Sequence, residues 1–384
     1  MIIENGVLVK IEEKDIDEKG KVVIPESVTK IGRLAFKECH ALKSVSIPDT
    51  VTEIGEYAFF KCDALESLTL PKSVKQIQSH AFEGCKSIES VVIPEGMDVI
   101  ESYVFTYCTS LKSVKIPSSV TSIGKAFFGC EALESVVIPE GVKELSGSFE
   151  GCTSLKSVIL PSTVEEISGA FDGCESLEAI TIPDSVKLIG PYTFARCHSL
   201  KSLEIPASVT EIGKSAFKEC VELESINIPD GITEIGTELF YCCKSLEEVK
   251  LPESVTRIGD RAFNFCINLN SVNIPDGVTE IGDRVFNYCV CLRHLELTES
   301  QRKIANENKA FEMCSHIEFV TKPDKTTTEE ATKKSDKSVF EEAREKAEEY
   351  NAGTTKAGQE ADKAQREAKE VATKVARKNN KKTK

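Results

Sequence analysis

The chain has no run of about 18 consecutive apolar residues, the length a membrane-spanning helix needs. Its opening, MIIENGVLVKIEEKD, lacks a basic n-region followed by an apolar h-region, so no secretory signal is legible there. The sequon N-x-[ST] occurs nowhere. H-E-x-x-H, G-x-S-x-G and G-x-x-x-x-G-K-[ST] are missing as well, which leaves catalysis, metal hydrolysis and phosphate-loop chemistry without a motif. Positive charge is scarce: the formal net charge is −14, and residues 1–320 carry 31 Lys+Arg against 49 Asp+Glu. Such a surface excludes general nucleic-acid binding, which needs cations to meet phosphates. These absences predict a cytoplasmic, non-enzymatic protein with no cofactor; the alternative is a cell-surface or secreted protein exported without a recognisable signal.

What is present is order. Twelve of the fourteen prolines fall at one repeating place, from Pro25 to Pro275, at intervals of 23 residues. Three consecutive intervals, between Pro117 and Pro183, are 22. A thirteenth unit keeps Leu297 and has Thr298 in place of proline. A period of this length with strand-like apolar pairs marks a stacked solenoid, here of about 13 coils. In one coil, Val45 and Ile47 are two apart and point the same way from a short strand. Pro48 cannot donate to a ladder and ends the strand. Val51 and Ile54 make a second apolar pair, Gly55 is expected to allow a turn, and Phe59 and Cys62 lead back to Leu65. The returns between strands are expected to be irregular or helical. The shortened coils lose a residue before Ala126, Phe149 and Phe171, which is expected to alter local curvature.

Four segments follow. Residues 1–21 read as a cap containing a hairpin about Asn5-Gly6. Residues 22–297 form the solenoid, and 298–320, rich in charge, a terminal cap coil. Residues 321–384 are a polar linker and then a charged tail, helical or disordered. Ser338 to Glu341 fits a capping box. Ala357, Ala361, Ala364, Ala368, Val371 and Val375 form a heptad-like stripe. Self-association through this tail is a further expectation.

The unit I-P-x-x-V-x-x-I-G-x-x-A-F-x-x-C-x-x-L-x-S-V-x resembles the BspA-like subclass of leucine-rich repeats, over roughly residues 22–320. The resemblance implies a leucine-rich-repeat solenoid and a binding role, since members are mostly binding proteins and several are surface adhesins for host matrix proteins.

Thirteen of the fifteen cysteines occupy one coil position, from Cys39 to Cys314; Cys242 and Cys291 stand apart. Neighbours in such a row lie about 4.8 Å apart with parallel Cβ vectors, unsuited to disulfides. They are expected to be buried, reduced and structural, which would favour a reducing compartment. Cys289-x-Cys291 alone does not make a metal site. His40 and His198 share the place after the row cysteine and face solvent.

The outward strand positions are not fixed by burial. The first is nearly always serine, from Ser44 to Ser271. The second varies, with Val92, Val137 and Ile159 in the first half of the stack. β-Branched residues suit any exposed strand. The sharper expectation is a shallow apolar patch on the concave strand face, Val92, Val137 and Ile159 framed by Thr69, Lys115 and Thr181, that binds a protein partner.

Overall fold

The computed structural model describes residues 1–314 and 317–322. The residues beyond Lys322, with the expected linker, the tail expected to be helical or disordered and any self-association through it, lie outside these residues. The rest is a β-solenoid built on two parallel ladders. The first runs along the Pro-terminated strands, from Lys21–Val23 and Ser44–Ser46 to His294–Thr298. It gains one strand over the sequence count: Glu318–Lys322 pairs with His294–Thr298 over five residues. With residues 179–181, which hold their place in the row without strand pairing, the coil count reaches fourteen.

The second ladder was not foreseen. The V-x-x-I segments form two- or three-residue strands such as Lys30–Ile31, Glu53–Ile54 and Gln76–Ile77, paired in parallel from coil to coil. The returns, expected to be irregular or helical, are therefore short strands followed by turns. Asn5 and Gly6 both have positive φ and link Ile2–Glu4 to Val7–Lys10 in an antiparallel hairpin. Its second strand starts the return ladder by pairing with Lys30–Ile31. At the other end Thr298 accepts from the Gln301 amide and caps the helix Glu299–Glu307. Gln301 then donates to the carbonyls of Pro275 and Val278, sealing the last turn. A hydroxyl is needed there, which explains why the proline is lost.

Each Pro-x-x-Val turn closes with the Val amide donating to the proline carbonyl, as in Val51 to Pro48 at 3.1 Å. The hydroxyl before the valine stitches the turn to the preceding coil: Thr50 to the Val28 carbonyl, Ser73 to that of Val51. Inside, thirteen phenylalanines from Phe36 to Phe311 form one continuous stack with centroids 4.4–6.1 Å apart. Beside it runs the thiol row. Each cysteine of the row from Cys62 to Cys314 donates to the carbonyl of the phenylalanine in the coil before, at 2.9–3.3 Å. All fifteen cysteines are free of disulfides. A small donor fits this place because a buried carbonyl would otherwise be unsatisfied.

The glycines after the inner isoleucines serve packing rather than turning. Gly55, Gly213, Gly259 and Gly282 have no positive φ; a Cβ at Gly259 would lie 2.6 Å from the Thr237 amide. In most coils the left-handed turns fall instead two residues before and after the stacked phenylalanine, at non-glycine residues such as Tyr57, Lys61, Glu238 and Cys242, and at Gly84, Gly129, Gly151 and Gly173 in four of them. In the 22-residue coils Gly147 and Gly169 take that conformation directly after strands Glu144–Ser146 and Glu166–Ser168. Gly259→Ala is expected to lower stability by about 1–3 kcal/mol, since overpacking forces the backbone apart. Gly231→Ala, whose Cβ would meet nothing closer than 3.8 Å, should be neutral. Urea midpoints of the two variants make the comparison.

Candidate functional site

The outward side of the strand ladder is floored by hydroxyls. Ser90, Ser113, Ser135 and Ser157 lie in register across the four-stranded sheet Ser90–Val92, Ser113–Lys115, Ser135–Val137 and Ser157–Ile159. The same register aligns Val92 with Lys115 and Val137 with Ile159. Val92, Val137 and Ile159 are about 60 % exposed. At about 4.8 Å per strand the four side chains run in line for roughly 14 Å. The inner residues between them, Val91, Val136 and Val158, are buried, so the exposed side chains stand on a rigid base.

The two framing threonines are not in this sheet. Thr69 follows Ser67–Leu68, the end of a separate three-stranded sheet. Thr181 belongs to the unpaired segment 179–181. Both are exposed and flank the sheet. Where pairing lapses, a depression of about 1040 Å³ opens, lined by Thr181, Ser202, Glu204, Ser225 and Asn227 among others. Its only sequence signal is Ala179, standing where serine is usual.

The variable row is not uniformly free to choose a partner. Asn227 accepts from the Ile205 amide at 2.7 Å and donates to its carbonyl at 2.9 Å. Asn273 holds Leu251 in the same way. These amides extend the ladder, a use that alternation alone cannot reveal. Val23 and Val320 share the exposed position near the ends of the row, at 60 % and 51 %.

The titratable groups do not converge. His40 meets Asp63 at 2.8 Å on the surface and His80 is stacked between Tyr57 and Tyr103. His198 is half-buried rather than exposed, 3.9 Å from Glu175. Among the described residues no group of three or more His, Cys, Asp or Glu could hold a metal ion. No described helix is long and apolar enough to cross a membrane.

The family model for the BspA type leucine-rich repeat region matches residues 18–130, 124–247 and 233–342. A leucine-rich repeat protein from Bacteroides ovatus is similar at 30 % identity, covering 78 % of this chain and 84 % of that one, with a TM-score of 0.67. A leucine-rich cell surface protein from Faecalibacterium prausnitzii is similar at 33 % identity, with 74 % and 81 % covered and a TM-score of 0.54. The pneumococcal vaccine antigen PcpA shares the fold at 19 % identity, 79 % and 80 % coverage and a TM-score of 0.52. A comparison with curated proteins gives no match. With its matched repeats, its stacked phenylalanines and its thiol row, this chain belongs to the BspA-type leucine-rich repeat family.

Proposed function

We propose that this protein is a non-enzymatic interaction scaffold that works at the cell surface, capturing a protein partner on the outward strand face around Val92, Lys115, Val137 and Ile159. The observation that carries this is the line of exposed apolar side chains on a hydroxyl floor. Scattered exposed valines are ordinary, whereas three exposed aliphatic side chains aligned on one rigid sheet, with Lys115 among them, are a recurrent feature of binding faces. Thr69, Thr181 and the adjoining depression supply a polar rim, matching the usual division of an interface.

The cytoplasmic expectation gives way to its alternative. It rested partly on the number of reduced thiols, but eleven of them are fully buried and inert in the core, so their count says nothing about the compartment. A similar protein described as a cell surface protein supports the surface reading. The adhesin role is the specific form this would take.

The test is partner capture from candidate surfaces by wild type and by the double variant Val137→Glu/Ile159→Glu. Both positions are solvent-facing, so the urea midpoint should stay within about 0.5 kcal/mol of wild type. Burying two unpaired carboxylates in an interface should reduce capture at least tenfold. Unchanged capture would sink the strand-face assignment; surface labelling of intact cells that fails to reach the protein would sink the location.

A further inference from the structure

A second site, away from the strand face, lies on the return arms of the coils around Phe240, Phe263 and Phe286. A pocket of about 250 Å³ opens there, lined by Lys218, Glu238, Tyr241, Arg261, Asn264, Phe265, Arg284, Asn287 and Tyr288. We infer that this pocket binds a neutral pyranose sugar.

Asn264 and Asn287 are 4 % and 6 % exposed, and the Oδ1 of each amide has no hydrogen-bond partner. Buried polar atoms in native proteins are nearly always paired, so two such acceptors in adjacent coils call for an explanation. The fold does not demand asparagine there. The residue after the stacked phenylalanine is, among others, Phe60, Glu83, Phe128, Ala195 or Tyr241 in other coils, and Thr106, whose hydroxyl is also buried without a partner. Backbone pairing proceeds without these side chains: the Phe265 amide donates to the Asn287 carbonyl, and the Cys242 amide to that of Asn264.

The remaining lining defines the ligand's chemistry. Phe265 and Tyr288 are stacked at 4.4 Å, with Tyr241 set edge-on to Phe265 at 5.8 Å. The charges are already matched. Lys218 lies 2.7 Å and Arg261 3.6 Å from Glu238, and Arg284 lies 3.7 Å from Asp283. No uncompensated cation asks for an anion. What is unmet is two amide acceptors on adjacent coils together with the Nε–H of Arg284, which is also buried without a hydrogen-bond partner; the hydroxyls of a pyranose both donate and accept, and so suit this set. The C–H face of such a ring covers an aromatic side chain while its hydroxyls donate to the amides. Half-buried Tyr241, Phe265 and Tyr288 offer that wall without closing the pocket.

Saturation-transfer NMR on the full chain, with methyl β-D-glucopyranoside, methyl β-D-galactopyranoside and methyl α-D-mannopyranoside as probes, tests this. Transfer to the ring protons of at least one sugar is expected. It should be lost in Asn264→Leu/Asn287→Leu, which removes the acceptors at similar volume. Should that variant fail to fold, Tyr288→Gly removes the wall at a residue whose φ of 62° suits glycine, and should lose the signal with the fold intact by circular dichroism. No transfer to any of the three sugars, or a signal that survives either folded variant, would overturn the assignment and leave the amides to water alone. Neither result bears on the strand face, whose variants are separate.

Discussion

The urea midpoint of this protein is expected to hold steady up to about pH 8.5 and then to collapse within about one to two pH units. The cause is the thiol row. From Cys85 to Cys289, ten thiols lie inside the stack, and burial pushes each well above the ordinary thiol range. A thiol whose native pKa is raised contributes stability that is intact below the unfolded value and is lost as pH climbs toward the native one. In the unfolded chain these groups release their protons near pH 8.5, while the folded chain keeps them. Each contributes about 1.36 kcal/mol per pH unit, so ten acting together reach about 14 kcal/mol per unit. That matches the whole stability of a typical domain, about 5–15 kcal/mol. Replacing Cys130, Cys152 and Cys174 by Ala should remove about three protons from the slope. A midpoint unchanged to pH 10 would mean that the thiols ionise in place and are not sealed by the stack.

Phe171→Ala is expected to cost about 3–5 kcal/mol, the range for deleting a fully buried aromatic ring. Phe171 is wholly buried between Phe149 at 6.1 Å and Phe194 at 5.7 Å. Its carbonyl also accepts the Cys197 thiol at 3.2 Å. In a linear stack stability resides in the contacts between neighbouring coils, so an interior deletion weakens two of them. The variant should unfold in two resolved transitions rather than one, because the halves on either side lose their coupling. Phe36, the first ring, has one stacking neighbour, Phe59 at 4.4 Å, and its replacement should cost roughly half as much without splitting the transition. The chain has no tryptophan, so far-UV circular dichroism in urea is the measurement. Equal costs at Phe36 and Phe171 would show that coils are stable by themselves.

Much of this architecture is written in periodicity. Proline, phenylalanine and cysteine recur because each has one place where its chemistry is tolerated: an end without a donor, a stack of rings, a carbonyl needing a small donor. The exposed line of Val92, Lys115, Val137 and Ile159 was legible for the same reason, since period-two alternation separates inward from outward residues. The depression beside Thr181 is marked in the sequence only by Ala179 in place of serine, because what opens it is a lapse in pairing between strands. Asn227 and Asn273 occupy outward strand positions, and only their distance to the neighbouring strand shows that they hold it.

By itself the sequence determined the solenoid, its coil length, its buried rows and the absence of a disulfide framework. Spacing is one-dimensional information, and a stack of near-identical coils is close to a one-dimensional object. Only the tertiary structure decided what each coil does to the next. It turned the V-x-x-I segments into a second ladder, and moved the left-handed turns from the glycines that follow the inner isoleucines to positions flanking the phenylalanines, such as Tyr57 and Cys242. It set each thiol against the carbonyl of the preceding phenylalanine. It also brought Asn264 and Asn287 together over an aromatic wall with their oxygens unmet. These features depend on distances between coils, which a period specifies in number but not in geometry.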